Sequence, residues 1–114
     1  MATVPEVRRL ALSLPRSYEV LVRDRIKFRV GRLVYLALSR DETVLGFAYP
    51  KDERAALVAA EPAVYLPPDR ADERYHWVQA RLAALDPPAL AEVVLGAWTM
   101  VVPKRVAAEH IASP

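Results

Sequence analysis

Apolar and polar positions change period three times along this chain. Val4, Val7, Leu10, Ala11 and Leu14 recur at intervals of three and four, which places them on one face of a helix. Thr3-Val-Pro-Glu6 opens it as a capping box, in which the Thr3 hydroxyl accepts from the Glu6 amide and the Glu6 carboxylate reaches back to the Thr3 amide. Pro15 ends it. From Ser17 the period falls to two: Val20, Val22, Ile26, Phe28 and Val30 share a parity, with Asp24 the exception that marks a bend or turn. Gly31-Arg32 carries glycine first, the requirement of a type II′ hairpin loop. That loop pairs Val30 with Leu33 and Phe28 with Tyr35, and sets Lys27 and Arg29 across from Leu36 and Val34.

The returning segment "LVYLALS" is apolar on both parities, as in an interior strand, and "TVLGFAY" follows it after the polar turn Arg40-Asp41-Glu42. "PKDERAALVAAEP" then reads as a helix of about three turns, opened by Pro50 with acids in its first turn and closed near Pro62. "AVYLPP" and "YHWVQARLAAL" read as two further strands, joined by a mobile charged loop, "DRADER". Asp86-Pro87-Pro88 starts a helix whose Leu90, Val93, Val94, Ala97, Trp98, Met100 and Val101 form a broad apolar side, either packed on the sheet or shared with another subunit. Pro103 breaks it, and Lys104-Arg105 opens a last short helix ending near Ile111. The expectation is a single α+β domain over residues 1–114. Its antiparallel sheet carries an N-terminal helix, a helical insertion and C-terminal helices, in the order α, three or four β, α, two β, α.

Composition narrows the function. The chain has no cysteine, which excludes disulfides, thiolate metal sites and cysteine nucleophiles. "MATVPEVRRLALSLP" lacks a signal-peptide pattern, and no apolar run reaches about 18 residues without a charge, so a cytoplasmic protein with no membrane contact is expected. Its three glycines are too far apart to cradle a phosphate or a dinucleotide. Ser13, Ser17, Ser39 and Ser113 have no nucleophile-elbow context, and His76 and His110 are too distant in sequence to define a metal or catalytic cluster. The acidic pairs Asp41-Glu42, Asp52-Glu53 and Asp72-Glu73 fall where turns and helix starts are expected. No catalytic residue, metal site or cofactor is assigned, and an enzyme is not expected.

Charge is the remaining signal. Residues 1–34 carry eight basic side chains against three acidic ones, so a net charge of +5 lies there in a chain whose total is +2. Within it, every second position from Arg23 to Arg29 is basic (Arg23, Arg25, Lys27, Arg29), and the last three alternate with Ile26, Phe28 and Val30. On a strand the last three leave one face about 6.5–7 Å apart, close to the repeat of phosphates along a nucleic-acid strand. With Arg23 and Arg32 at the flanks, the row can neutralise about four or five phosphates, a logarithmic salt slope on the order of −4. The competing account is a solvated face whose aliphatic stems cover apolar surface. No aromatic residue alternates with the basic ones, so stacking of single-stranded bases has no support from this segment.

"EVRRLALSLP", "FRVG", "ERAALVAAEP", "WVQARL" and "DPPALAEVVLGAWTMVVPKR", taken in order, resemble the MmcQ/YjbR family of small bacterial proteins. The resemblance implies the α+β arrangement above, likened also to secretion chaperones, and a "double-wing" DNA-binding role without cofactor or catalytic residue. It points to Arg29, Gly31, Lys104 and Arg105, whereas Arg23, Arg25, Lys27 and Arg32 rest on charge alone. The family hairpin often reads Gly-Gly-Lys where this chain has Gly31-Arg32-Leu33. Two functions of different class therefore stand: phosphate-backbone binding to DNA with little sequence preference, and a protein-interaction or chaperone-like module whose partner includes a second copy of the chain. A ligand pocket around His76, Trp77 and Trp98 is a third.

Overall fold

The computed structural model describes residues 1–112; Ser113 lies outside the described residues. Helix α1 (Val4–Leu12) is followed by strands β1 (Ser17–Val22), β2 (Arg25–Val30), β3 (Leu33–Leu38) and β4 (Val44–Ala48). Helix α2 (Arg54–Ala60), strands β5 (Tyr65–Leu66) and β6 (Trp77–Arg81), and helices α3 (Pro87–Thr99) and α4 (Lys104–Ala112) complete the chain. Six antiparallel strands form one sheet in the order β1-β2-β3-β4-β6-β5. The α+β expectation is met, with four strands before the helical insertion and two after it.

Helices α1 and α3 pack on one face of the sheet. Between them and the strands lie Val7, Ala11, Phe28, Leu36, Leu38, Leu45, Phe47, Val78, Leu90, Val94 and Trp98, all buried. The apolar breadth of α3 is thus used inside the molecule: Leu90, Val93, Val94, Ala97 and Trp98 are covered. Trp98 is also tied down, its indole N–H donating to the Pro15 carbonyl at 2.9 Å. A buried indole needs such an acceptor, because an unpaired N–H in the core costs about 1–3 kcal/mol. Arg8 of α1 makes two hydrogen bonds to the carboxylate of Glu19 in β1, at 2.7 and 3.2 Å.

Caps form where the sequence places them. Asp86 accepts from the Ala89 amide at 2.9 Å, and the Thr3 hydroxyl accepts from the Glu6 amide at 3.4 Å. The Glu6 carboxylate, however, takes the Thr3 hydroxyl and not the Thr3 amide. Asp41 does the work of a turn residue: it accepts from the Ser39 hydroxyl and from both the hydroxyl and amide of Thr43, which holds its carboxyl below the usual range.

Several expectations are corrected. Arg23 and Asp24 both have positive φ, 52° and 66°, forming a two-residue turn of the I′ kind. This turn reverses the chain and pairs Val22 with Arg25 and Val20 with Lys27, so Val20 and Val22 share a face with the basic residues and not with Phe28 and Val30. In the next hairpin Gly31 has φ of 59° and Val30 pairs with Leu33, as expected, but a bulge follows. Phe28 meets Leu36, Lys27 meets Ala37, and Tyr35 is the extra residue. The Tyr35 ring is fully buried and its hydroxyl sits 2.6 Å from the Ser17 hydroxyl, a polar anchor that makes an additional residue in the interior strand tolerable.

Helix α2 starts four residues later than Pro50, after a turn in which the Glu53 amide donates to the Pro50 carbonyl and the Lys51 amide donates to His76 Nδ1. The strand expected in "AVYLPP" is two residues long, and β6 ends at Arg81, where a short 3-10 turn takes over. The "DRADER" segment contains another 3-10 turn, and the Arg54 guanidinium fastens its continuation by donating to the carbonyls of Glu73, Tyr75 and Trp77.

Candidate nucleic-acid interface

The sheet face turned away from α1 and α3 carries the basic residues. Strand alternation sends Phe28 and Val30 into the core and leaves Arg25, Lys27 and Arg29 on the opposite side. Across that face runs a row of paired residues, Lys27 to Ala37 to Gly46 to Gln79, with Trp77 one pair along beside Ala48. Small residues at Ala37, Gly46 and Ala48 lower the middle of the sheet, and β2 and β6 rise on either side. The result is a trough whose bordering strands are about 14 Å apart, three strand spacings.

Two cavities follow this trough. The first, about 420 Å³, is lined by Arg25 and Lys27 on one wall, Asp72, Tyr75, His76 and Trp77 on the other, and Met100 and Val101 at the end of α3. The second, about 590 Å³, shares Arg25, Ala37, Asp72 and Trp77 and continues towards Arg40, Asp41 and Asp69. Arg25 and Asp72 thus line both cavities, Lys27 only the first, and Arg40, Asp41 and Asp69 only the second.

Among the described residues, no carboxylate lies within ion-pair distance of Arg23, Arg25, Lys27, Arg29 or Arg32. Burial holds the Lys27 ammonium below its ordinary pKa, and the charges of Arg25 and Arg29 push the same way; Asp72 pulls against them, and Arg23 adds the smallest push. The four side chains are thus close enough to repel one another. Arg25 Nε donates to the Leu38 carbonyl at 3.0 Å, which fixes the guanidinium along the strand edge. Arg29 has a buried Nε without a partner, while its terminal nitrogens are neither buried nor bonded within the chain. Arg23 and Arg32 are exposed in the turns at the two ends of β2.

The opposite wall is rigidly built. Besides the three bonds from Arg54, Lys51 donates its amide to His76 Nδ1 at 2.9 Å and its ammonium to the Arg74 carbonyl at 3.3 Å. With Nδ1 accepting, a neutral His76 carries its proton on Nε2. The Trp77 ring lies against Gly46, where an added Cβ would fall 2.8 Å from two of its atoms.

The YjbR family model matches residues 12–100, which takes in the whole meander, the trough and α3. The chain belongs to the YjbR family. A solved structure with the same fold, the crystal structure of Deinococcus radiodurans protein DR2400 with a DUF419 domain, aligns over 100% of this chain and 91% of its own. The TM-score is 0.78 at 23% identity. No curated protein matches.

In this YjbR domain the residues singled out by sequence divide into two groups. Arg23, Arg25, Lys27, Arg29, Gly31 and Arg32 belong to β2 and its two turns. Lys104 and Arg105 are exposed in the first turn of α4, beyond the matched segment, and line neither cavity of the trough. The ligand pocket suggested by sequence does not assemble as a trio: His76 and Trp77 meet in the trough, but Trp98 is buried under the other face. His110 lies edge-on to Trp98, centroids 5.1 Å apart. Among the described residues no three His, Asp or Glu side chains gather as a metal site, and no helix is long and apolar enough to cross a membrane.

Sequence reasoning named His76 and Trp77 as pocket residues but did not place them opposite the basic row. Trp77 arrives from a strand some fifty positions away from the basic row, so inspection of the basic segment alone could not find it. The available signal was the set of small residues, Ala37, Gly46 and Ala48, in otherwise bulky strands, since a glycine inside a strand often marks a close approach by another group.

Proposed function

We propose that this YjbR domain is a non-enzymatic DNA-binding protein that contacts the phosphate backbone through β2 and its flanking turns. One observation carries the reading: Arg25, Lys27 and Arg29 stand in a row on the sheet face opposite α1 and α3, and among the described residues no carboxylate lies within ion-pair distance of them. A surface account alone predicts cations that spread apart or pair with acids. A polyanion relieves the repulsion and releases counterions. Lys104 and Arg105 extend the footprint only if the nucleic acid reaches α4. The protein-interaction reading drew on the apolar side of α3, of which Leu90, Val93, Val94, Ala97 and Trp98 are buried in the core.

The test is a titration of duplex DNA across a salt series. A logarithmic slope of about −4 is expected, and replacing Arg25, Lys27 and Arg29 together by glutamine reduces it by about 3. An unchanged slope removes β2 from the interface.

A further inference from the structure

Trp77 is the side chain that phosphate contact leaves unexplained. Its ring is half-buried, seated on Gly46, and borders both cavities of the trough. Its indole N–H is neither buried nor bonded within the chain. A tryptophan used only for packing would fill its space on both sides, whereas this one stands over a glycine and faces empty volume. Arg54 holds the backbone of the same residue by its carbonyl, at 3.3 Å, together with the carbonyls of Glu73 and Tyr75. The platform is therefore set before any ligand arrives, which lowers the ordering cost of binding.

Across the Ala37 and Gly46 floor stand Arg25 and Lys27, two cations against the single carboxylate of Asp72 in the first cavity. Its volume, about 420 Å³, lies within the range of small-ligand sites, about 300–1,000 Å³. A flat apolar ring surface on one side and unpaired cations on the other match a ligand with a planar aromatic part and an attached anionic part. We propose that the trough takes an unpaired nucleotide, its base stacked on Trp77 and its phosphate at Lys27 and Arg25. This rests on the reading of β2 as a phosphate-contacting strand and adds a preference to it: bases in a duplex are stacked on each other and cannot reach Trp77, so the preferred partner is single-stranded. The same chemistry is presented by a free nucleoside monophosphate.

Tryptophan fluorescence tests this. Trp98 is fully buried, so quenching by a stacked base reports Trp77. Oligothymidylate is expected to quench, and a duplex of equal length to quench far less. Trp77→Leu lowers oligothymidylate affinity by about 5- to 100-fold, the loss of one base stack, while leaving duplex affinity within twofold. Trp77→Phe keeps a ring and retains most of the affinity, which supplies the answer if the leucine variant does not fold.

Thymidine 5′-monophosphate forms the second arm. Quenching at equal concentrations of nucleotide units assigns the site to the free nucleotide, and quenching by the oligomer at far lower concentration assigns it to a strand; either supports the proposal. No quenching by either ligand, or equal quenching by duplex, overturns it. If the triple glutamine variant still loses duplex binding in that case, the phosphate-contact reading survives alone. If that variant binds all ligands as the parent does, the phosphate-contact reading fails.

Discussion

Lys27→Met removes the central charge of the basic row and keeps an unbranched stem opposite Ala37. Alternate positions on a strand lie about 6.6 Å apart, where two unit charges in water repel by about 0.6 kcal/mol. A Debye length of about 8 Å at physiological salt reduces this to about 0.3 kcal/mol, so repulsion from Arg25 and Arg29 together makes the Lys27 charge cost about 0.5 kcal/mol. At about 0.01 M salt, where the Debye length is about 30 Å, the cost approaches 1 kcal/mol. Burial of the ammonium adds to it and Asp72 subtracts. In urea unfolding the methionine variant is therefore more stable than the parent, by about 0.5 kcal/mol at physiological salt and about 1 kcal/mol at low salt, with an unchanged m-value. Its duplex-binding slope falls by about 0.9.

The pH dependence has a defined sign. The folded-state pKa of Lys27 lies below its ordinary 10.5, so with rising pH the folded protein releases this proton first. The unfolded chain holds more protons in that window, the parent gains stability as pH climbs towards 10.5, and the gap to the variant closes. A variant less stable than the parent at low salt, or a gap indifferent to salt, refutes the picture of a mutually repelling row.

Gly46→Ala places a Cβ 2.8 Å from the Trp77 ring. The indole must move, at a cost of about 1–3 kcal/mol in urea unfolding together with a shift in Trp77 emission; a neutral substitution with unchanged emission contradicts the contact. Gly31→Ala costs about 1–2 kcal/mol because Gly31 has φ of +59°, whereas Gly96→Ala, in the interior of α3 with open space around the added methyl, stabilises by about 0.5–1 kcal/mol. The two unfolding midpoints therefore move in opposite directions, and movement in the same direction contradicts the assignment. Arg54→Ala releases the carbonyls of Glu73, Tyr75 and Trp77, and limited trypsin digestion after Arg74 accelerates; an unchanged rate means that other contacts hold the segment.

The fold was legible wherever a local rule decided it. The Asp86 cap, the glycine-first turn at Gly31 and the apolar spacing of α1 each depend on residues within one or two turns of chain. What was not legible depended on partners distant in sequence. The faces of Val20 and Val22 turned on whether Arg23-Asp24 was a bend or a tight reversal, and the buried Tyr35 of the bulge finds its hydroxyl partner in Ser17, 18 positions away. The turn before α2 bonds its Lys51 amide to His76, 25 positions away. Of the candidate site, the basic row could be read from alternation alone. Its aromatic counterpart required knowing that β6 lies beside β4, which no period in the sequence specifies.

The separation between Pro15 and Trp98 has a kinetic consequence. Strands β1, β2 and β3 are joined by two reversals of two residues each, so their loops close cheaply and hairpins of this kind form in about 1–10 μs. The indole bond to Pro15 joins residues 83 apart and cannot form until α3 has docked. The cationic strand thus belongs to the early-forming part of the molecule, and seating of α3 is the late step. Substitutions in the two reversals act mainly on the refolding rate, while trimming Leu90 or Val94 acts mainly on the unfolding rate.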